Sequence, residues 1–270
     1  MIKAIYQPQG VSSHLLARDF GKSRREKATH TGTLDPMAEG VMIILSGDDR
    51  YKKQEMGDVK KTYQFEILWG INTDSLDLLG LITENKYNQN DDSEINKEIF
   101  SKKEKKSIEF LDNYLSKYVG KINQKLPKFS AKRVDGKSSF DLAKSGEEMP
   151  DFFRAVEIFE AKTISLNKMS PELLQEIIVK KINNVQGDFR QEEVLNGWSE
   201  FFSNLNVGSA TDSNDETSFY ISKCEVTASR RTYIRALVRD LSEDLNIPAT
   251  TFSIIRTKNG EYGIEDCTDL

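Results

Sequence analysis

Within His30-Thr31-Gly32-Thr33-Leu34-Asp35-Pro36-Met37-Ala38-Glu39-Gly40 an aspartate sits between two glycines, and the apolar run Val41 to Leu45 follows at once. A carboxylate so placed can act as a nucleophile if something beside it keeps it ionised. Pro36 pushes Asp35 out of the helical region into extended backbone, which fixes the direction of its side chain. Gly32 and Gly40 can take the positive φ angles that other residues avoid. The pattern presents a held carboxylate on a tight loop backed by a buried strand. The same spacing also writes an ordinary turn, in which Asp35 bonds its own backbone.

Other chemistry-bearing residues are few. Arg235 and Arg239 fall four apart on one face of a helical pattern, where they can be solvated or pair with local acids such as Asp240. Lys22, Arg24 and Arg25 close another helical pattern, where they complement the helix dipole or contact phosphate. Lys128, Lys132, Arg133 and Lys137 belong to a stretch, 121–137, with six basic residues against one acid. The two cysteines, Cys224 and Cys267, and the two histidines, His14 and His30, make no metal-ligand spacing, so no metal is expected.

The formal net charge of −5 argues on average against a polyanionic partner, but the acids are unevenly placed. Residues 1–61 carry eleven Lys/Arg against eight acids, whereas 141–220 carry seven against fifteen. A basic face for nucleic acid therefore remains possible beside the Asp35 loop. No apolar run approaches the roughly 18 residues that span a membrane, and the N-terminus lacks a signal pattern. A cytoplasmic protein is expected.

The elements that must position these residues can be read in order. Ile2 to Tyr6 reads as an edge strand, and Ser12 or Ser13 caps a helix running to about Glu26. Asp48 to Met56 reads as a short helix. Lys60 to Trp69 alternates, with Tyr63, Phe65, Ile67 and Trp69 on one face, as in a half-buried strand. Ser93 can cap a helix to about Tyr118, ended by Gly120. Asp135-Gly136 signals a tight hairpin, and Ser138 to Gly146 a helix. Phe152 to Lys168 gives a strand pair or one long strand, Ser170-Pro171-Glu172 opens two amphipathic helices at about 171–184 and 190–204, and 206–217 is a polar linker. Phe219 to Ala228 and Thr251 to Thr257 are further strands, on either side of a helix bearing Arg235.

The wording of several blocks goes beyond their spacing. His-Thr-Gly-Thr-Leu-Asp-Pro-x-Ala-x-Gly, Lys61-Thr62-Tyr63 with Gly70 and Thr73-Asp74, Pro127-x-Phe129-Ser130-Ala131-Lys132 with Gly136-Lys137, Thr232-Tyr233-Ile234-Arg235 and Arg256-Thr257-x-x-Gly260 occur in one order across about 4–169 and 218–264. Together they resemble the TruB-type tRNA pseudouridine synthases. Gln7-Pro8 departs from a frequent Lys-Pro, and Thr29 from a glycine.

The resemblance implies an α+β pseudouridine synthase fold, with a mixed, mainly antiparallel central sheet flanked by helices. It implies one catalytic domain over 1–270 that contains an acidic insertion at 170–217, on the side away from RNA. With the chain ending at Leu270, no C-terminal RNA-binding domain is expected. Asp35 would be the nucleophile, Arg235 its ion-pair partner, and Tyr63 the ring that stacks on uracil and helps remove the C5 proton. His30 would fill the gap left by a flipped base. Thr31, Gly32, Lys22, Arg24, Arg25, Lys61, Lys128, Lys132, Arg133, Lys137 and Tyr233 would contact RNA. The implied reaction isomerises a T-loop uridine of tRNA, position 55, with no cofactor, by a monomer bound to the T-arm. A non-catalytic tRNA chaperone on the same scaffold, or a synthase acting on other RNAs, are the alternatives.

Overall fold

The computed structural model describes residues 1–87, 104–130, 150–205 and 218–268, together with the backbone of two short strands at 133–134 and 137–138. Its main sheet has the order β1 (Ile2–Gln7), β3 (Ala38–Ser46), β12 (Ala249–Asn259), β4 (Lys61–Trp69), β11 (Phe219–Ala228), β10 (Phe153–Met169), β7 (Gly120–Lys125). β2 (Ala28–Thr31) adds to β3, and β13 (Tyr262–Gly263) to β12. Along that order neighbours are antiparallel except β3 and β12, which run parallel. This is the α+β, mainly antiparallel architecture expected.

Helices cover both faces, and the sequence periods say which residues meet them. Alternation in β4 sends Tyr63, Phe65, Ile67 and Trp69 into a core shared with Leu16 and Phe20 of α1 (Ser13–Arg24). α2 is a single short helix, Lys53–Gly57. α3 (Glu104–Ser116) brings Leu111 and Leu115 to the same core as Tyr63. Leu68 points the other way and is just as buried, because α4 (Pro171–Asn183) and α5 (Gln191–Ser203) cover that face with Leu174, Ile178, Trp198 and Phe201. Those two helices, expected to form an insertion, are thus a wall of a second core. β3 is apolar without alternation because Met42 and Ile44 enter one core while Val41 and Ile43 enter another. α6 (Ile234–Leu245) follows β11 and packs Leu237, Val238 and Leu241 inward.

Three expectations are refined. Gly120 does not end a helix but opens β7 with φ +113°, three residues after α3 has given way to a turn. The 153–169 stretch is one strand, irregular in its pairing with β11 at Ile158/Glu160 and Thr163/Ser165. On either side of the hairpin expected at Asp135-Gly136, which itself lies outside the described residues, β8 (Arg133–Val134) and β9 (Lys137–Ser138) pair antiparallel in the register Val134↔Lys137. Ser138, expected to open a helix, is instead the last residue of β9, and the rest of that expected helix to Gly146 and the linker 206–217 lie outside the described residues. So does the part of the expected Ser93 helix that precedes Glu104.

The parallel contact between β3 and β12 requires close approach. A Cβ on Gly40, which has φ +117°, would lie 2.3 Å from the carbonyl oxygen of Arg256. Only glycine lets these strands meet, and their meeting places the Asp35 loop against β12. A small pair, β5 (Ile71–Thr73) and β6 (Ile82–Asn85), stands beside this junction and carries the turn that contains Ser75 and Asp77.

Candidate active site

The Asp35 loop leaves β2 at Thr31 and re-enters β3 at Ala38, and backbone hydrogen bonds hold its turn. Ala38 N donates to Asp35 O at 2.9 Å, and Gly10 N donates to Pro36 O at 2.9 Å. Leu34 N donates to Ser13 Oγ at 3.1 Å, while Ser13 Oγ donates to Gln7 Oε1 at 2.8 Å. Gln7, fully buried, also donates from Nε2 to Val11 O at 2.8 Å. A neutral amide thus braces the loop where a lysine is frequent in the resembled family. From β12, buried Arg256 donates from Nη1 to Gly32 O at 2.8 Å and from Nε to Val41 O at 2.7 Å.

Arg235, in the first turn of α6, reaches the loop across a sequence separation of 200 residues. Its Nε donates to Asp35 Oδ2 at 2.8 Å, its Nη1 to Ser75 O at 2.7 Å and its Nη2 to Phe129 O at 3.0 Å. Asp77 Oδ2 lies 3.5 Å from the same Nε. The guanidinium is 4% exposed and Asp77 5%, whereas Asp35 keeps 29% of its side chain open. Burial opposes the charge on Arg235, and Asp35 and Asp77 together outweigh it, so its pKa is held above the ordinary range. Burial raises the pKa of Asp77 despite Arg235, and despite donation from Ser75 Oγ at 2.6 Å and Leu79 N at 3.0 Å. One carboxylate is therefore sunk behind the arginine and the other is presented in front of it, fixed in direction and open to a substrate.

Asp35 opens onto a groove of about 1080 Å³ that Tyr63, Tyr233, Thr31, Gly32 and Ile254 also line. Arg50, Lys53, Lys61, Arg154, Arg230, Arg231 and Arg256 line it too, and among its described lining residues Asp35 is the sole acid. Tyr63 is buried in β4, with Arg256 in electrostatic and hydrogen-bonding contact with its phenol. Lys61 is buried as well, donating to Gly57 O at 3.0 Å and Val59 O at 2.9 Å. Burial, then the charge of Arg256, push its pKa down to about 8. Burial and the nearby Asp35 charge raise the pKa of Tyr233, whose backbone N donates to Gln124 Oε1 at 2.9 Å. An anionic, ring-bearing substrate fits this lining: cations for phosphate, an aromatic face for a base, and a carboxylate for attack.

A family model for the TruB family pseudouridylate synthase (N terminal domain) matches residues 21–182. The chain belongs to that family. Among its relatives, the tRNA pseudouridine synthase B of Phocaeicola vulgatus is 30% identical over 249 residues, covering 92% of this chain and 77% of the relative. That of Bacillus anthracis is 28% identical over 264 residues, covering 97% of this chain and 67% of the relative. A chain in the crystal structure of a Cbf5-Nop10-Gar1 complex shares the fold, with a TM-score of 0.50 at 14% identity; the match covers 97% of this chain and 49% of that one. This chain thus spans about half the length of that solved neighbour.

Placed in this TruB-family structure, the residues expected from sequence divide. Asp35, Arg235, Tyr63, Thr31, Gly32, Lys61 and Tyr233 converge around the groove or on its lining. His30, Lys22 and Arg25 line an adjoining recess of about 700 Å³ with Arg18, Lys27 and Lys53. Arg24 does not join them; its guanidinium packs over the Phe20 ring at 4.9 Å. Lys128 is exposed and lines neither space. Lys132, and the side chains of Arg133 and Lys137, lie outside the described residues.

The insertion expected at 170–217, on the side away from RNA, has a described part that lies beside Asp35. The connection between α4 and α5 brings Gln186, Phe189 and Arg190 into a cavity that Asp35 and Arg235 also line. The physical reason is the second core: apolar faces of both helices must bury against β4 and β11, which pulls their connection to the sheet end where the loop sits. Sequence reading also missed Asp77, Arg256 as a clamp, and the groove cations Arg50, Lys53 and Arg154. The signal for Asp77 was present as Thr73-Asp74-Ser75-Leu76-Asp77, a polar turn after a buried strand.

His30 has its Nε2 3.1 Å from Thr33 Oγ1. Burial, then the charges of Lys53, His14 and Arg256, lower its pKa from 6.5 to about 4. Between those values the unfolded chain binds a proton that the folded one does not, so stability falls as pH drops through the window. Thermal unfolding at pH 7 and pH 5 checks this. Wild type is expected to lose more stability than His30→Gln on acidification, and equal losses would assign the effect to other groups.

Proposed function

We propose that this chain is a tRNA pseudouridine synthase that isomerises a T-loop uridine, with Asp35 as its nucleophile. The observation that carries the reading is the Asp35–Arg235 pair, with Asp35 at the wall of a groove that is rich in cations and bears Tyr63. A uridine within folded RNA cannot reach that carboxylate in place. It must leave the stack, at a cost of roughly a few kcal/mol that is lowest in a loop. Phosphates flanking it meet Arg50, Lys53, Arg154, Arg230 and Arg231, and its ring lies against Tyr63.

In this reading Asp35 bonds transiently to the nucleotide as the N1–C1′ bond breaks, the uracil turns in place, and C5 bonds to C1′ with release of the Asp35 carboxylate. The C5 proton is lost, Tyr63 assisting, and N1 ends with a proton. Atoms and electrons balance within the nucleotide, so the isomerisation consumes no cofactor. His30, neutral at physiological pH by the shift above, can occupy the space vacated in the RNA without adding a charge beside the bases.

The deciding experiment supplies a T-arm transcript labelled with tritium at C5 of uridine. Release of a single label per transcript, with pseudouridine recovered at the T-loop position, is the expected result. Label retained in an RNA that the protein binds would leave a binding protein without this activity, and release from other uridines would move the substrate elsewhere.

A further inference from the structure

The Asp35 loop is a partition between two spaces. On one side is the groove with Tyr63; on the other is a cavity of about 350 Å³, and both are lined by Thr33, Leu34 and Asp35. The target base belongs with Tyr63, which leaves the second cavity without an occupant in the reaction. Its volume is at the small end of ligand pockets. Val11, Leu34, Leu79 and Phe129 give it apolar walls, and Phe189 and Arg190 complete it from the connection between α4 and α5.

That connection is built in place. Gln186 N donates to Gly10 O at 2.9 Å, and Gln9 Nε2 donates to Lys181 O at 2.9 Å. Gly10 has φ +87°, and a Cβ there would fall 2.1 Å from Asn184 O, so the turn after β1 and the end of α4 touch backbone to backbone. Arg190 takes the left-handed conformation at φ +62°. Its Nη2 lies 3.0 and 3.2 Å from the two oxygens of Asp74, and its guanidinium lies over the Phe129 ring at 4.8 Å. A guanidinium held at its edge by a carboxylate and backed by a ring is a flat platform with fixed orientation.

We propose that this cavity receives the base of the nucleotide next to the target uridine, stacked against Phe189 and the Arg190 guanidinium. The inference rests on the reading that RNA is the substrate. A nucleotide covalently joined to one lying against Asp35 is the ligand that the shared wall of the two spaces selects. Unpaired bases are held by aromatic rings and guanidinium planes. The helices at 171–203 thus serve recognition of the RNA, and the neighbouring base is read together with the target.

Binding of three T-arm RNAs tests this: one intact, one lacking the base 5′ to the target uridine, and one lacking the base 3′ to it. The proteins are wild type, Phe189→Leu, which keeps apolar filling without a ring, and Arg190→Asn, since asparagine tolerates the left-handed backbone. Wild type is expected to bind one abasic RNA about tenfold more weakly than the intact RNA, and each variant to bind intact RNA several-fold to about tenfold more weakly. Neither variant should lose further affinity for that abasic RNA. Wild type binding all three RNAs equally would overturn the proposal without reference to any variant, and so would variants that discriminate as sharply as wild type. Pseudouridine formation by wild type on the intact RNA is scored in parallel. Its absence removes the synthase reading, while the binding comparison still decides the base site.

Discussion

Asp35→Asn is expected to abolish pseudouridine formation, a loss on the order of 10⁴-fold or more, as when an enzyme's nucleophile is removed, while RNA binding persists. The amide is nearly isosteric, and its oxygen can still accept from Arg235 Nε, now at 2.8 Å from Asp35 Oδ2. The loop itself depends on bonds that the substitution does not touch, from Gly10 N to Pro36 O and from Leu34 N to Ser13 Oγ. What disappears is the negative charge, and with it the ability to form and release a covalent bond. Because Asp35 is the sole acid among the described residues lining the groove, RNA affinity should be unchanged or higher. Tritium release and filter binding on the same preparation check both parts. Activity within tenfold of wild type would exclude Asp35 as nucleophile.

Arg235→Met is expected to cost both activity and stability. The arginine neutralises a buried carboxylate, Asp77, and satisfies the carbonyls of Ser75 and Phe129. Removing one member of a buried pair typically costs about 3–5 kcal/mol, because the partner is left charged and uncompensated. The pH dependence separates this from a packing defect. Burial already raises the pKa of Asp77, so the folded state favours its protonated form more than the unfolded state does. Stability associated with such a group is present at low pH and lost as pH rises. Without Arg235 the effect grows, so urea unfolding should show a smaller penalty at pH 5 than at pH 7. Adding Asp77→Asn should recover much of the stability at pH 7 but none of the activity, since Asp35 still lacks its cation. An equal penalty at both pH values would mean that lost packing, not the stranded carboxylate, destabilises the variant. Lysine is no substitute at this place, because an ammonium cannot reproduce three donors in a planar fork.

Much of this architecture was legible in local pattern. Alternation in Lys61 to Trp69 named the strand and its buried face, the unbroken run Val41 to Leu45 marked a strand covered on both sides, and Ser170-Pro171 announced the start of α4, with Ser170 Oγ accepting from Leu173 N at 3.4 Å. The Asp35 loop and the Thr-Tyr-Ile-Arg block identified both partners of the ion pair by their wording. Each of these features depends on residues within one or two turns of each other, so the chain states them directly.

Tertiary structure alone decided the rest. Asp77 reads as one acid in a polar turn; it becomes a buried counter-charge only because β5 and β12 carry that turn beneath Arg235. Arg256 reads as the end of a strand, yet parallel pairing of β3 with β12 makes it the clamp on Gly32. Above all, the helices at 171–203 read as an appendage, because their amphipathic period shows that a face is buried but not against what. Leu68 and Phe219 supply that surface, and burying against it carries Arg190 to the edge of the site. Periodicity is a local property that fixes which side chains are hidden, whereas the partner that hides them is chosen by long-range packing.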